Sequence, residues 1–150
     1  MRRIYIDTSV VVAKLFGQKV AFLRHIAASK VFELISARKV IGVISFYVLH
    51  ETYWFCMDNF RVEEAREKAR LALLDLLEIE IELAPLLSRE DKIHYSRRFP
   101  IRDLSDQTHV ISAFVNNCDA IVAYDERFRD ISHIIEYLKP EEFIASVQTQ

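Results

Sequence analysis

Glycine and proline are scarce in this sequence, with two glycines and three prolines among 150 residues. Tight hairpins and flexible linkers draw on these residue types, so their scarcity disfavours an all-β sandwich and favours helices joined by short connections. A chain of this length that is 51% hydrophobic has the size and apolar content of one ordinary domain. We therefore expect a single domain over residues 1–150.

Cysteines at metal-binding or redox spacing are also absent. Cys56 and Cys118 are the two cysteines, and neither belongs to a C-x-x-C pair. The sequence therefore indicates no zinc site and no disulfide framework. We expect both cysteines to be buried free thiols.

Long apolar runs are missing as well. The longest uncharged stretches, residues 40–50 and 107–118, are roughly half of the ~20 residues that a membrane-spanning helix needs. The basic residues at positions 2 and 3 are typical of a signal peptide, but Asp7 and Lys14 interrupt the apolar stretch that should follow them. We expect a cytoplasmic protein with no membrane span.

Positive charge is not in excess. The net charge is −2 and the isoelectric point is near 6.2, so no general positive field attracts nucleic acid. Any contact with nucleic acid must be local, and most arginines and lysines are expected simply to face water. The candidate patches are Arg2 with Arg3, Arg38 with Lys39, Arg97 with Arg98 and Arg102, and Arg127 with Arg129.

The apolar pattern predicts strands that alternate with helices. Residues 77–84 alternate apolar residues with glutamate, which is typical of an edge strand, and the other predicted strands are short apolar runs. Strands are predicted at residues 4–6, 40–44, 77–84, 120–123 and 134–138. Helices are predicted at residues 10–16, 20–34, 46–57 after an N-cap at Ser45, 62–77, 88–97 and 106–116 after an N-cap at Ser105, with a turn at Pro140. This order predicts an α/β fold with three α/β/α layers around a central, mostly parallel sheet.

Four acidic residues follow or flank the predicted strands. Asp7 and Asp125 each come directly after a strand, so both carboxylates are expected at the same edge of the sheet, where functional crevices form. Asp106 opens the helix before the strand at 120–123, and Glu51 lies within the helix after the strand at 40–44. All four side chains can therefore converge on one cleft.

Carboxylates that converge in this way repel one another and are tolerated mainly when a cation neutralises them. A set of oxygen ligands favours Mg²⁺ or Mn²⁺ over zinc. Such an ion activates water and stabilises charge on a phosphoryl group. The pattern therefore predicts a metal site suited to phosphodiester hydrolysis.

Each of these acids also has a structural explanation. Asp7 can be a helix N-cap, Asp106 can complement a helix dipole, and Asp125 can be a turn residue. Glu51 is harder to explain in this way, because it interrupts an apolar and aromatic segment where an unpaired carboxylate is costly. The prediction of a site depends on the four residues together.

Several motifs resemble the PIN-domain family and, within it, the VapC-like toxins. They are I-Y-I-D-T-S-V at residues 4–10, S-F-Y-V-L-H-E at 45–51, L-S-D-Q-T-H-V-I-S-A at 104–113, D-A-I-V-A-Y-D-E-R-F at 119–128 and P-E-E-F at 140–143. Each motif is short, and their order and spacing over nearly the whole chain make the resemblance specific. Ala123 departs from it, since the family usually has Thr or Ser there.

The resemblance implies an endoribonuclease that uses Mg²⁺ or Mn²⁺ and leaves a 5′ phosphate on the cleaved RNA. Asp7, Asp106 and Asp125 would hold the metal ion, and Glu51 would complete the site, position a second ion or orient the attacking water. The accessory residues it implies are Ser9, which supports the site, Asp103, as an extra acid or a loop residue, and His109, as a structural neighbour and not a general base. Arg127 and Arg129 are nearest to Asp125 in the sequence and are the candidate phosphate contacts.

The toxin interpretation further implies a small antitoxin that covers the apolar groove between the early helices, and a homodimer. Two other functions stay open: a stand-alone RNA-processing nuclease without an antitoxin, and a nonenzymatic PIN-like scaffold that binds RNA or protein. A phosphohydrolase with an aspartyl nucleophile is weaker, because that site needs a second Asp where the chain has Ser9. A phosphoacceptor receiver domain is weaker too, because the adjacent acidic pair and the late lysine are missing.

Overall fold

The predicted strands form one sheet in which every pairing is parallel. The computed structural model describes residues 1–148, and within them the sheet has five strands in the order β3-β2-β1-β4-β5. Their bounds are β1 (Arg3–Ile6), β2 (Ile41–Ser45), β3 (Glu82–Ala84), β4 (Ala120–Val122) and β5 (Glu136–Leu138). The chain adds β2 and β3 on one side of β1 and then β4 and β5 on the other. The boundary between β1 and β4 is therefore the switch point of the sheet, where the crevice of an open α/β fold lies.

Helices connect the strands and cover both faces of the sheet. The bounds are α1 (Thr8–Phe16), α2 (Phe22–Ser36), α3 (Phe46–Asn59), α4 (Val62–Glu78), α5 (Arg89–Ser96), α6 (Leu104–Val115) and α7 (Pro140–Gln148), with a 3₁₀ helix at Glu126–Ile131. Successive residues of a strand point to opposite faces, and all three residues of β4 are buried. Both faces are thus covered, and the predicted three-layer α/β/α fold with a parallel sheet is confirmed.

The core lies on the central strands. Ile4, Tyr5 and Ile6 of β1 are fully buried, as is Ile121, which pairs with Tyr5. Gly42 of β2 lets α2 approach closely, because a Cβ atom at this position would lie 2.5 Å from Cδ1 of Ile35. The tight packing fixes the strand ends from which the acidic residues project.

The edge strand β3 is shorter than predicted. The alternating pattern predicts a strand over 77–84, whereas α4 continues to Glu78 and pairing begins only at Glu82. Its position at the edge of the sheet is as predicted. Residues 77 and 78 belong instead to the last turn of α4, whose amphipathic spacing buries Leu76 fully, and tertiary burial outweighs strand propensity there.

Two predictions about the ends of elements are wrong, namely the N-cap at Ser105 and the turn at Pro140. Asp103, and not Ser105, is the N-cap of α6, since its Oδ1 accepts the N–H groups of Ser105 (2.8 Å) and Asp106 (3.3 Å). Pro140 begins α7 and is not a simple turn, which agrees with the preference of proline for the first turn of a helix. The predicted strand 134–138 shortens to Glu136–Leu138.

Cys56 and Cys118 are buried free thiols, as predicted. Among residues 1–148, no helix is long and apolar enough to cross a membrane.

Candidate active site

Asp7 lies at the carboxyl end of β1 and begins α1. Its backbone N–H donates to the carbonyl of Val122 at the end of β4 (3.1 Å), which brings the two strand ends together. Its Oδ2 accepts the hydroxyl (2.6 Å) and the N–H (3.0 Å) of Ser9. The Ser9 hydroxyl oxygen also accepts the N–H of Tyr124 (3.0 Å). Ser9 therefore joins the acidic loop after β1 to the loop that carries Asp125.

Asp125 caps the 3₁₀ helix at the end of β4. Its Oδ1 accepts the N–H of Arg127 (2.9 Å), and its Oδ2 lies 2.6 Å from Nη2 of the same arginine. The hydrogen bonds from Arg127 hold the pKa of Asp125 below its usual value, against a smaller opposing effect of burial. Asp125 is therefore ionised at neutral pH.

Asp106 is the most perturbed carboxyl group of the cluster. It lies in the first turn of α6 and is only 8% exposed. Burial, reinforced by the charges of Asp103, Asp125 and Asp7, raises its pKa to about 6, although the positive charge of Arg127 opposes the shift. The side chains of Asp7, Asp106 and Asp125 thus act on one another electrostatically, as converging carboxylates do.

Arg127 is the cation among these acids. Its guanidinium lies 2.6 Å from Asp125, 3.1 Å from Asp106 and 3.4 Å from Asp103. These contacts raise the pKa of Arg127, so the guanidinium stays charged. Oδ2 of Asp106 is nevertheless buried without a hydrogen-bond partner among the described residues, because the arginine approaches it as a charge and not as an aligned donor.

Glu51 faces the site from α3 and is held by three donors. Both of its carboxylate oxygens contact Nε2 of His109 (2.9 and 3.0 Å), the hydroxyl of Ser105 donates to Oε1 (2.6 Å), and the hydroxyl of Thr8 donates to Oε2. Burial alone would raise the pKa of Glu51, but the hydrogen bonds and charge of its partners lower it to about 2. This network explains how an acid is tolerated within an aromatic helix.

His109 links Glu51 to the core. The imidazole is 1% exposed, and its Nδ1 lies 2.7 Å from the hydroxyl of Tyr5, which in turn lies 2.6 Å from Oγ of Ser45. Burial lowers the pKa of His109, whereas the hydrogen bond to Glu51 and the surrounding carboxylates raise it by more. Ser45 does not use its side chain as an N-cap of α3 because it takes part in this chain.

We expect the contribution of the Glu51–His109 pair to the free energy of unfolding to be largest between about pH 4.5 and 6.5. The lowered pKa of Glu51 stabilises the fold above its unfolded value, and this contribution is lost as pH falls toward 2. The raised pKa of His109 stabilises the fold below its unfolded value, and this contribution is lost as pH rises through the folded pKa. Urea unfolding of the wild type and of His109→Gln from pH 3 to 8, in chelator, measures the difference. A difference that is constant over this range would contradict the assignment.

Of the other two predicted residues, Asp103 lies next to the site and Arg129 points away from it. Asp103 is an N-cap that also faces Arg127. Arg129 pairs with Glu126 (3.7 Å) and lies over the ring of Tyr137, so its described contacts lie away from the four acids.

Sequence reasoning missed four residues that organise the site. Thr8 and Ser105 each stand beside a predicted acid, and this adjacency is the signal that could have identified them. Tyr5 and Ser45 carry no such signal, because one lies between two isoleucines of a strand and the other resembles an ordinary N-cap. Their contact with His109 depends on strand register.

The described acids do not form a preorganised metal-binding site. Within residues 1–148, no group of three or more His, Cys, Asp and Glu side chains is arranged so that it could hold an ion. Several of their oxygens already have partners: Arg127 contacts the aspartates, His109 contacts Glu51, and Ser9 donates to Asp7. Two observations still fit a cation here: Oδ2 of Asp106 is buried without a hydrogen bond, and the positive charge of Arg127 lies among the carboxylates.

Comparisons with known proteins agree with this fold. The sequence pattern of the PIN domain matches residues 3–127. No match was found among curated proteins. Similar solved structures include VapBC2 from Rickettsia felis bound to a DNA fragment from its promoter, with a TM-score of 0.63, 16% identity and coverage of 91% of this chain and 98% of that one.

Two further structures show the same likeness. VapC20 from Mycobacterium tuberculosis, a toxin that cleaves the sarcin-ricin loop, has a TM-score of 0.66, 15% identity and coverage of 89% and 97%. VapBC-1 from nontypeable Haemophilus influenzae has a TM-score of 0.60, 15% identity and coverage of 93% and 98%. At such identities the likeness establishes a shared fold. Because the PIN pattern also covers most of the sequence, the chain belongs to the PIN-domain family.

Proposed function

We propose that this protein is a Mg²⁺- or Mn²⁺-dependent endoribonuclease, a single PIN nuclease domain over residues 1–150 that acts in the cytoplasm as the toxin of a toxin–antitoxin pair. The observation that carries the proposal is the cluster of Asp7, Asp106 and Asp125 at the switch point of the sheet, with a positive charge lying among them. Membership in the PIN-domain family supports it.

Asp7, Asp106 and Asp125 would hold the metal ion. Carboxylate oxygens suit Mg²⁺ and Mn²⁺, and Oδ2 of Asp106 is buried without a hydrogen bond and faces the charge of Arg127. A bound ion of this kind activates water and stabilises the charge that develops on a phosphoryl group. Ser9 fixes the orientation of Asp7.

Glu51 completes the site as a fixed negative charge. A carboxyl group with a pKa of about 2 is a poor general base at neutral pH, since an efficient base has a pKa near the working pH. The three donors around Glu51 keep its oxygens in place. We therefore assign Glu51 to orientation of ligands in the site, with His109 as its support.

RNA is the proposed substrate. One structural neighbour is described as a toxin that cleaves the sarcin-ricin loop, which is an RNA target of that protein. In this chain the exposed Arg127 lies beside Asp125 and is the proposed contact for an RNA phosphate, with Arg129 as a second, outer contact.

An antitoxin and a second copy of the chain are the proposed partners. Several structural neighbours are VapBC complexes. A small antitoxin would cover the apolar surface of the early helices, where Phe22, Leu23 and Ile26 of α2 are exposed. Leu23 and Ile26 line a groove there whose other side includes Ile144 of α7. A short coding region for a DNA-binding protein beside the gene would support this part of the proposal.

The test is cleavage of a panel of structured RNAs in Mg²⁺ by the wild type and by Asp7→Asn. We expect the wild type to cleave at least one RNA and Asp7→Asn to be inactive, because the amide lacks the negative charge of the carboxylate ligand. Asp75→Asn is the matched control, since Asp75 is exposed on α4 and should leave cleavage unchanged. Equal cleavage by wild type and Asp7→Asn would refute the site, and no cleavage by either would favour a nonenzymatic scaffold.

A further inference from the structure

The candidate site contains its own positive charge. We propose that the Arg127 guanidinium occupies the place that a divalent cation needs, so that arginine and metal exclude each other at Asp106 and Asp125. This inference depends on the metal site of the proposed function. Arg127 contacts Asp106 and Asp125 before metal binds, and it must move away for the ion to enter.

The contacts of Arg127 indicate that the guanidinium and a metal ion compete for the same carboxylate oxygens. Arg127 uses both terminal nitrogens on the acids: Nη2 contacts Asp125, and Nη1 contacts Asp106 and Asp103. Its Nε also contacts both oxygens of Asp125 (3.1 and 3.0 Å). The metal would have to use the same oxygens, and a guanidinium and a divalent cation at one place repel each other.

The exposure of the Arg127 side chain allows it to move away from the acids. Its side chain is 57% exposed, whereas that of Asp106 is 11% exposed, so the guanidinium reaches inward from solvent toward a buried acid. Outward rotation exposes a group that is already largely hydrated, and it leaves no cavity in the core. The acids, by contrast, stay on the ends of β1, β4 and α6 and cannot separate.

The same contacts explain why the metal-free protein tolerates its acids. Without Arg127, the charges of Asp103, Asp106 and Asp125 would lie together without compensation, which is costly for a buried carboxylate. The guanidinium supplies that compensation until a metal ion arrives. The apparent affinity for metal is then the affinity of the acids reduced by the free energy of the arginine contacts.

If Arg127 competes with the metal ion, its removal should strengthen metal binding. If Arg127 only supported the acids, its removal would weaken metal binding. Full-length Arg127→Ala should bind Mn²⁺ roughly tenfold more tightly than the wild type, which corresponds to the loss of one charge-assisted interaction. Its melting temperature without metal should fall by about 2–4 °C. Isothermal titration calorimetry and thermal unfolding in chelator measure the two effects. Arg129→Ala is the matched control, because Arg129 is equally exposed and, among the acids of residues 1–148, forms an ion pair with Glu126 alone. This variant should bind Mn²⁺ as the wild type does.

A second measurement uses the wild type and is independent of folding of the variant. In a Mg²⁺ titration followed by ¹⁵N NMR of arginine side chains, the Nε–H signal of Arg127 should move to the position of a free arginine, whereas that of Arg129 should stay. An Arg127 signal that does not change while the protein binds metal would overturn the inference, as would equal or weaker Mn²⁺ binding by Arg127→Ala. In both cases the proposed function would stand. If neither protein binds metal, the metal site of the proposed function fails, and the inference fails with it.

Discussion

Asp106→Asn is expected to lower the rate of RNA cleavage by roughly 1,000-fold, because metal ions contribute several kcal/mol to stabilisation of a transition state and each 1.36 kcal/mol is tenfold in rate. Asparagine has nearly the same shape as aspartate but lacks the charge. Asp106 is a buried acid whose pKa is already raised to about 6, so its neutral replacement should not destabilise the fold. Initial rates, Mn²⁺ binding and the free energy of unfolding test the three statements.

Asp103→Asn is the matched control for this variant. Asparagine caps a helix as well as aspartate does, so α6 should form normally. Asp103 contacts Arg127 only at 3.4 Å, and we expect a loss of activity of no more than about tenfold, the low end of the roughly 10- to 100-fold range for residues that support a metal site from outside its ligands. An equal loss in both variants would contradict the assignment of Asp106 as the ligand and Asp103 as the cap.

Phe128→Ala is expected to lower the free energy of unfolding by about 3–5 kcal/mol, the usual cost of a large cavity in a core. Phe128 is fully buried and lies 6.3 Å from Tyr137, measured between ring centroids. It anchors the 3₁₀ helix whose cap is Asp125 and which carries Arg127. We therefore expect metal affinity to fall together with stability, as measured by urea unfolding with and without Mn²⁺.

Phe22→Ala provides the comparison for this loss. Phe22 is 58% exposed at the start of α2, so its truncation should change the free energy of unfolding by no more than about 0.5 kcal/mol. A similar loss in Phe22→Ala and Phe128→Ala would mean that the 3₁₀ helix is not anchored by its buried ring.

The strand ends and the acids after them were predictable from the sequence. Asp7 directly follows β1, and Asp125 follows β4 after two intervening residues. Parallel strands bring such positions to one edge. The apolar runs that define these strands are buried on both faces, so their pattern is simple. The awkward position of Glu51 within an aromatic helix was a further signal, and its hydrogen bonds to His109 give the physical explanation.

Ser9 and His109, the partners of Asp7 and Glu51, were predicted as accessory residues, but several other partners of the acids were not predictable because they depend on tertiary contacts. Ser105 and Asp103 are both good N-caps, and only the start of α6 at Leu104 decides between them. Arg127 and Arg129 look equivalent in the sequence, but the 3₁₀ helix turns the first toward Asp106 and the second toward Glu126. The aromatic segment of α3 is less buried than its composition indicates, since Phe46 and Trp54 are about half exposed.

Cleavage of RNA in chelator, followed by addition of Mn²⁺ and mapping of the new ends, tests the central claim most directly. We expect the wild type to be inactive in chelator, Mn²⁺ to restore cleavage that leaves 5′ phosphates, and Asp106→Asn with Mn²⁺ to cleave roughly 1,000-fold more slowly than the wild type. Cleavage by the wild type that continues undiminished in chelator would contradict the metal site formed by Asp7, Asp106 and Asp125.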